Sequence, residues 1–178
     1  MGADVVMHSA TKYLDGQVRV LGGALVGSED LMAEARGFVR VCGPSMSPFN
    51  ARIFSKGLET LQLRMDAHSQ RAQALAEWLE QHHDVKKVNY CNLVAHRDHL
   101  RAAGQKSAFG GVLSFEVDGG RDRAWAFINA VRLMLLTANL VDVKTTVCHP
   151  ASTTHGRLSE QQKQQSGITA GLIRIAVG

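Results

Sequence analysis

What the chain has little of narrows it first. Its 178 residues contain three cysteines, Cys42, Cys91 and Cys148, far apart and in no C-x-x-C pair. A disulfide framework is therefore not expected, and reduced thiols in a cytoplasmic setting are the default. No apolar run approaches the length of a membrane span, so no membrane association is expected. Met1-Gly2-Ala3-Asp4 lacks the basic and apolar blocks of a secretory signal. Aromatic residues make up only 6%, and the net charge of +4 is scattered without a like-charged block. Nucleic-acid binding would need a basic stripe with stacking aromatics, so no nucleic-acid partner is expected. Eight histidines are present. His82-His83 close a helical stretch, and His96 and His99 sit in a polar one. None completes a metal-ligand spacing with the cysteines, so no metal is expected. Proline is scarce too, with three residues, two of them in or beside the turn-rich segment Cys42–Pro48.

What is present is globular: 45% hydrophobic and 20% charged residues, enough for a core. Ala3–His8 has the pattern of a buried strand, and Ala24–Val26 of a second short one. Ser28 is placed as a helix N-cap before Glu29–Met32. From 49 to 83, Leu58, Leu61, Met65, Ala72, Leu75, Ala76 and Leu79 keep spacings of three and four over much of the stretch. That predicts a long helix, with Gly57 as a bend or break. Beyond it, strands are expected at Val85–Tyr90, Gly111–Val117, Leu133–Leu136, Val143–Cys148 and 171–178. A helix is expected at Arg121–Val131, and a polar loop with a short helix at His155–Ile168. Together they form an α+β unit. Because the chain opens and closes on apparent strands, it is expected to be cut at both ends.

The chemistry concentrates in His8-Ser9-Ala10-Thr11-Lys12-Tyr13-Leu14. A lysine just after a strand can present an amine to an aldehyde. The hydroxyls of Ser9 and Thr11, three and one residues earlier, can donate to a phosphate beside it. Amine reactivity calls for a depressed lysine pKa, which partial burial provides. Spacing alone is weak support, because a lysine after a strand is usually a solvated loop residue.

With its flanks, His8–Gly16 resembles the lysine motif of the cysteine/methionine-metabolism family of fold-type I pyridoxal-phosphate enzymes. Four further segments are similar to that family in order. They are Lys56–Leu61 with Leu63-Arg64-Met65, Ala108–Phe115, His149–His155, and Leu172-Ile173-Arg174. The resemblance covers nearly the whole chain. It implies an α/β architecture: the C-terminal part of a fold-type I transferase. Residues 1–48 would close the cofactor-binding large domain, 49–83 would be a linker helix, and 84–178 a substrate-side α+β domain. It implies pyridoxal 5'-phosphate as cofactor, Lys12 as catalytic lysine, Ser9, Thr11 and Lys12 as cofactor-binding residues, and Asn139 and Arg174 as holders of a substrate α-carboxylate. A guanidinium fork suits a carboxylate. Arg174 without the motif would be read as a surface ion pair.

Three segments resemble the O-succinylhomoserine sulfhydrylase branch: Gly43–Ala51, Thr137–Leu140 and Lys144-Thr145-Thr146. The synthases and lyases carry serine at the place of Asn139. The implied reaction is γ-replacement on a homoserine ester with sulfide to give homocysteine, in a cytoplasmic homotetramer. A cystathionine γ-synthase or γ-lyase of the same family is the alternative. So is a non-catalytic piece that only associates. The choice of succinyl or acetyl ester stays open. The family's pyridine-binding aspartate, ring-stacking tyrosine and glycine-rich phosphate loop have no counterpart here, so the isolated chain is expected to be inactive. Val18 and Val141 stand where the family has glycine, and Arg52 where it has tryptophan. If either glycine position needs positive φ, valine there strains the backbone.

Overall fold

The structure is a computed structural model that describes residues 2–178. It divides into two compact units, one ending at Gln62 and one spanning Leu63–Gly178.

In the first unit, β1 (Val5–Ser9) pairs antiparallel with β2 (Gly23–Gly27), Val5 opposite Gly27 and Ser9 opposite Gly23. Val5, Val6, Leu25 and Val26 are exposed, so β1 is not the buried strand its composition suggests. Among the described residues the pair has no third strand. Helix α1 (Glu29–Cys42) starts after Ser28, whose backbone is extended but whose hydroxyl makes no capping bond. It ends at Gly43, where φ is 79° and the amide donates to the Val39 carbonyl. That left-handed stop suits glycine, which has no Cβ to clash. Helix α2 (Pro48–Leu58) is capped by Ser47, whose hydroxyl accepts from the Asn50 amide at 3.2 Å, with Pro48 at its first position.

The long helical period over 49–83 is interrupted. Helix α2 stops at Leu58 and α3 (Leu61–Glu80) starts three residues later. Gly57 lies one residue before the end of α2. Its Cα lies against the backbone of the Lys12 turn, where an added Cβ would drive into the Leu14 carbonyl oxygen. This close approach docks α2 and is possible only without a side chain.

In the second unit, β3 (Val85–Asn89), β4 (Val112–Val117), β5 (Leu135–Leu136), β6 (Thr146–Cys148) and β7 (Leu172–Ala176) form one sheet in the order β3-β4-β7-β6-β5. The pairs are antiparallel except β5 with β6. The expected strand at 143–148 is shorter, because Val143–Thr145 belong to the loop that returns the chain. Helices α4 (His99–Gln105), α5 (Gly120–Ala130) and α6 (Glu160–Gln165) complete the unit. Along β4, Leu113, Phe115 and Val117 point to the core while Val112, Ser114 and Glu116 alternate outward. The core joins these to Ile173, Ile175 and Val147 of the sheet, to Ala72, Ala76 and Leu79 of α3, and to Ala124 and Ile128 of α5. Small residues on both helices let them lie close on the sheet. Phe115 and Phe127 meet edge to face at 5.4 Å.

The parallel β5–β6 pair obliges the chain to run back between Leu136 and Thr146. That return loop contains Asn139 and Val141. Its course needs a left-handed turn at Val141, where φ is 69°.

Candidate active site

In the first unit the site is built on the turn after β1. The Lys12 amide donates to the Ser9 carbonyl at 3.1 Å, the Asp15 amide to Ala10 at 2.9 Å, and the Gly16 amide to Lys12 at 2.7 Å. These bonds coil Ala10–Gly16 into one tight turn, with Lys12 half-buried on it. Ser9 stays exposed at the end of β1. Thr11 is buried, and its hydroxyl donates to the Gly22 carbonyl at 3.3 Å and accepts from the Gly22 amide at 3.1 Å. Its one proton thus ties the lysine turn to the start of β2. Gly22 fits there because an added Cβ would come within 2.5 Å of the Phe54 ring.

A second anchor escaped the sequence reading. The Asp15 side chain is fully buried, and Arg19 closes on it with Nε 2.7 Å from Oδ1, its own amide on Oδ2, and Nη2 on the Asp15 carbonyl at 3.2 Å. The acid–base spacing of four was visible but reads equally as a solvated surface pair. Between these partners stands Val18, with φ 54°. Val18 and Val141 are the non-glycine residues with positive φ among those described. Both positions singled out as glycine replacements therefore carry the strain expected of them. Arg52 lies exposed on α2.

In the second unit Arg174 sits mid-strand on β7, opposite Ser114 of β4 and Cys148 of β6. Its Nη2 donates to the carbonyls of Ala138 at 3.0 Å and Asn139 at 2.9 Å. The Asn139 amide in turn donates to Thr137 Oγ1 at 3.2 Å. The structure thus brings Asn139 and Arg174 together, and it is the Asn139 backbone that meets the guanidinium. These two bonds occupy Nη2, and the fork carries Nη1 and Nε beside it. Behind this pair, His149 is buried, with Nδ1 2.7 Å from the Ser152 hydroxyl and Nε2 donating to the Ala170 carbonyl at 2.8 Å. It links the 3-10 turn Pro150–Ser152 to the segment entering β7. The neighbouring Cys148 thiol is pushed up from its ordinary pKa by burial, against the opposing pull of Arg174 and a Thr153 hydrogen bond.

The first unit thus carries a turn-borne lysine with a hydroxyl nearby, and the second a strand-borne arginine. The family model for Cys/Met metabolism PLP-dependent enzymes matches residues 1–178, and the chain belongs to that family. It is 55% identical over its full length to O-succinylhomoserine sulfhydrylase of Pseudomonas aeruginosa, of which it covers 44%. It is 39% identical to L-methionine gamma-lyase of Porphyromonas gingivalis, covering 45% of it. Among solved structures, cystathionine gamma synthase from Xanthomonas oryzae pv. oryzae, in complex with aminoacrylate and cysteine, superposes over 99% of this chain and 46% of its own. The TM-score is 0.95 at 37% identity. A candidate O-acetylhomoserine (thiol)-lyase from Campylobacter jejuni, which carries a pyridoxyl-lysine phosphate, matches with a TM-score of 0.92 at 35% identity, over 50% of its chain. The chain spans about half the length of the relatives it matches. The family's cofactor is pyridoxal phosphate.

The Lys12 amine on this turn and the exposed Ser9 hydroxyl at the end of β1 are donor types that suit an aldehyde and a phosphate. No helix among the described residues is long and apolar enough to cross a membrane.

Proposed function

We propose that the protein to which this chain belongs replaces the γ-substituent of a homoserine ester with sulfide, giving homocysteine, as the 55% identical sulfhydrylase does by its name. The observation that carries the reading is the Lys12 turn, closed by backbone hydrogen bonds and half-buried at the residue that carries the amine. Pyridoxal phosphate supplies the electron sink that stabilises negative charge at the substrate's α-carbon. Lys12 would hold the cofactor through its amine, and its amine would move protons at the substrate carbons to be activated. Ser9 would donate its hydroxyl to the cofactor's phosphate. Thr11, assigned to the same role on the motif, acts through the Gly22 backbone to keep Lys12 in place. Arg174 binds the substrate α-carboxylate and Asn139 shapes its seat, with the 138 and 139 carbonyls fixing the guanidinium plane. The protein acts on a small amino-acid substrate as a cytoplasmic homotetramer, in keeping with the family resemblance.

The test uses the complete protein with O-succinylhomoserine and either sulfide or cysteine. Homocysteine formed with sulfide, abolished in Lys12→Ala, supports the reading. Cystathionine formed with cysteine at a higher kcat/KM would move it to the synthase branch, and release of 2-oxobutanoate without a thiol would move it to the γ-lyases. The 39% identical γ-lyase keeps that last outcome in view.

A further inference from the structure

We propose that the turn leaving α3 binds a divalent transition metal, Zn2+, Ni2+ or Cu2+, through His82, His83 and Asp84. One ring nitrogen from each histidine and one Asp84 carboxylate oxygen all lie within 4.8 Å of one another. Neighbouring residues on a continuous helix point about 100° apart and could not converge in this way. Here the helix ends at Glu80 and the chain closes through short turns. The His82 amide donates to Leu79 at 3.1 Å and the Val85 amide to His82 at 3.0 Å. The two imidazoles consequently stack at 4.7 Å, 17° from parallel.

Imidazole and carboxylate are the donor types that borderline divalent ions take, at roughly 2.0–2.2 Å. Ligand atoms on one tetrahedral ion then stand roughly 3.4 Å apart. The observed spread closes to that by small side-chain rotations, which the exposed His83 ring and half-exposed Asp84 carboxylate allow. The Asp84 amide donates to His82 Nδ1 at 3.2 Å, a bond that a metal at that nitrogen would replace. Two features mark the place as attractive to a cation. It follows directly on the C-terminus of a twenty-residue helix, where the carbonyl ends carry partial negative charge. It also already draws the Arg123 guanidinium, whose Nη2 lies 3.0 Å from Asp84 Oδ2. A metal would take over that carboxylate from Arg123.

The structure also contains its own reporter. Trp78, one turn earlier on α3, has its ring 4.9 Å from that of His82. Cu2+ bound there would quench indole emission.

The experiment titrates the full chain with NiCl2 by calorimetry and with CuCl2 by tryptophan fluorescence. Expected is one stoichiometric event, weakened about tenfold in His83→Ala and in Asp84→Asn, as loss of one of three ligands implies. Arg123→Ala should tighten binding by freeing the carboxylate, and His8→Ala, an exposed histidine elsewhere, should leave it unchanged. Trp78→Phe should remove most of the quenching without changing the calorimetric affinity. Should His83→Ala alone perturb the fold, by circular dichroism, Asp84→Asn decides. Absence of a stoichiometric event, or affinity within about threefold of the parent in the deciding variants, overturns the proposal.

Discussion

Left-handed backbone at Val18 and Val141 has a measurable energetic signature. An L-residue in that region costs about 1–2 kcal/mol because its Cβ crowds the following carbonyl oxygen. Glycine avoids that cost but loses about 0.5–1 kcal/mol more backbone entropy on folding. At φ 54° and 69° the balance between an alanine and a glycine variant therefore favours glycine by about 0.5–1 kcal/mol. At an ordinary helical position such as Ala126 on α5, the same pair should favour alanine by about 1 kcal/mol. Comparing Ala with Gly at each site isolates the Cβ from the rest of the valine side chain. Comparing Val with Gly then measures burial. Val18 is 43% exposed and Val141 only 2% exposed. Val18→Gly should be near neutral. Val141→Gly should lose about 1 kcal/mol or more, because emptying the buried site costs about 1.5 kcal/mol of transfer energy plus a cavity. Urea unfolding followed by circular dichroism reads these differences as midpoint shifts at constant m. If Val18→Ala is more stable than Val18→Gly, the left-handed assignment at Val18 is wrong and the strain argument fails.

Three other expectations follow from particular side chains. Arg174→Lys should raise KM at least about tenfold in the complete enzyme, with a smaller change in kcat, since a lysine cannot span two carbonyls and a carboxylate at once; unchanged KM would remove Arg174 from substrate binding. In the native chain a thiol reagent at mildly alkaline pH should modify exposed Cys42 promptly, while Cys148, buried and with its pKa raised, reacts only after denaturation. Rapid modification of Cys148 would show that β6 opens readily. His68 is held below the ordinary histidine pKa by burial and by the Arg64 and Arg71 charges, against the pull of the Val177 carbonyl, to which its Nδ1 donates. Its unfolded form therefore takes up protons first. Stability is full above about pH 6.5 and falls as pH drops below that value towards the folded pKa. A His68→Gln variant should flatten that decline, and an undiminished slope would assign it to other groups.

Much of this was legible before the structure because the informative signals were local. The Lys12 segment and the alternation along β4 each depend on residues close in sequence, where chemistry and periodicity speak directly. The left-handed valines were legible only by contrast with the glycines of the resembling family. What stayed hidden was long-range. The close approach at Gly57 is to a backbone about forty residues earlier, at Leu14. The Thr11 hydroxyl goes to Gly22 because β2 folds back beside the turn. The His82–Asp84 convergence depends on where α3 ends, which helical periodicity fixes only to within a few residues. The exposure of β1 could not be read from its apolar composition, because alternation says which residues can be buried and not what covers them.

The most direct measurement is borohydride reduction of the complete protein with pyridoxal phosphate, followed by peptide mass mapping. A stoichiometric pyridoxyl mass on the peptide bearing Lys12, absent in Lys12→Ala, is the expected result. A pyridoxyl group found mainly on another lysine, with Lys12 unmodified, would contradict the assignment of this turn as the cofactor's anchor.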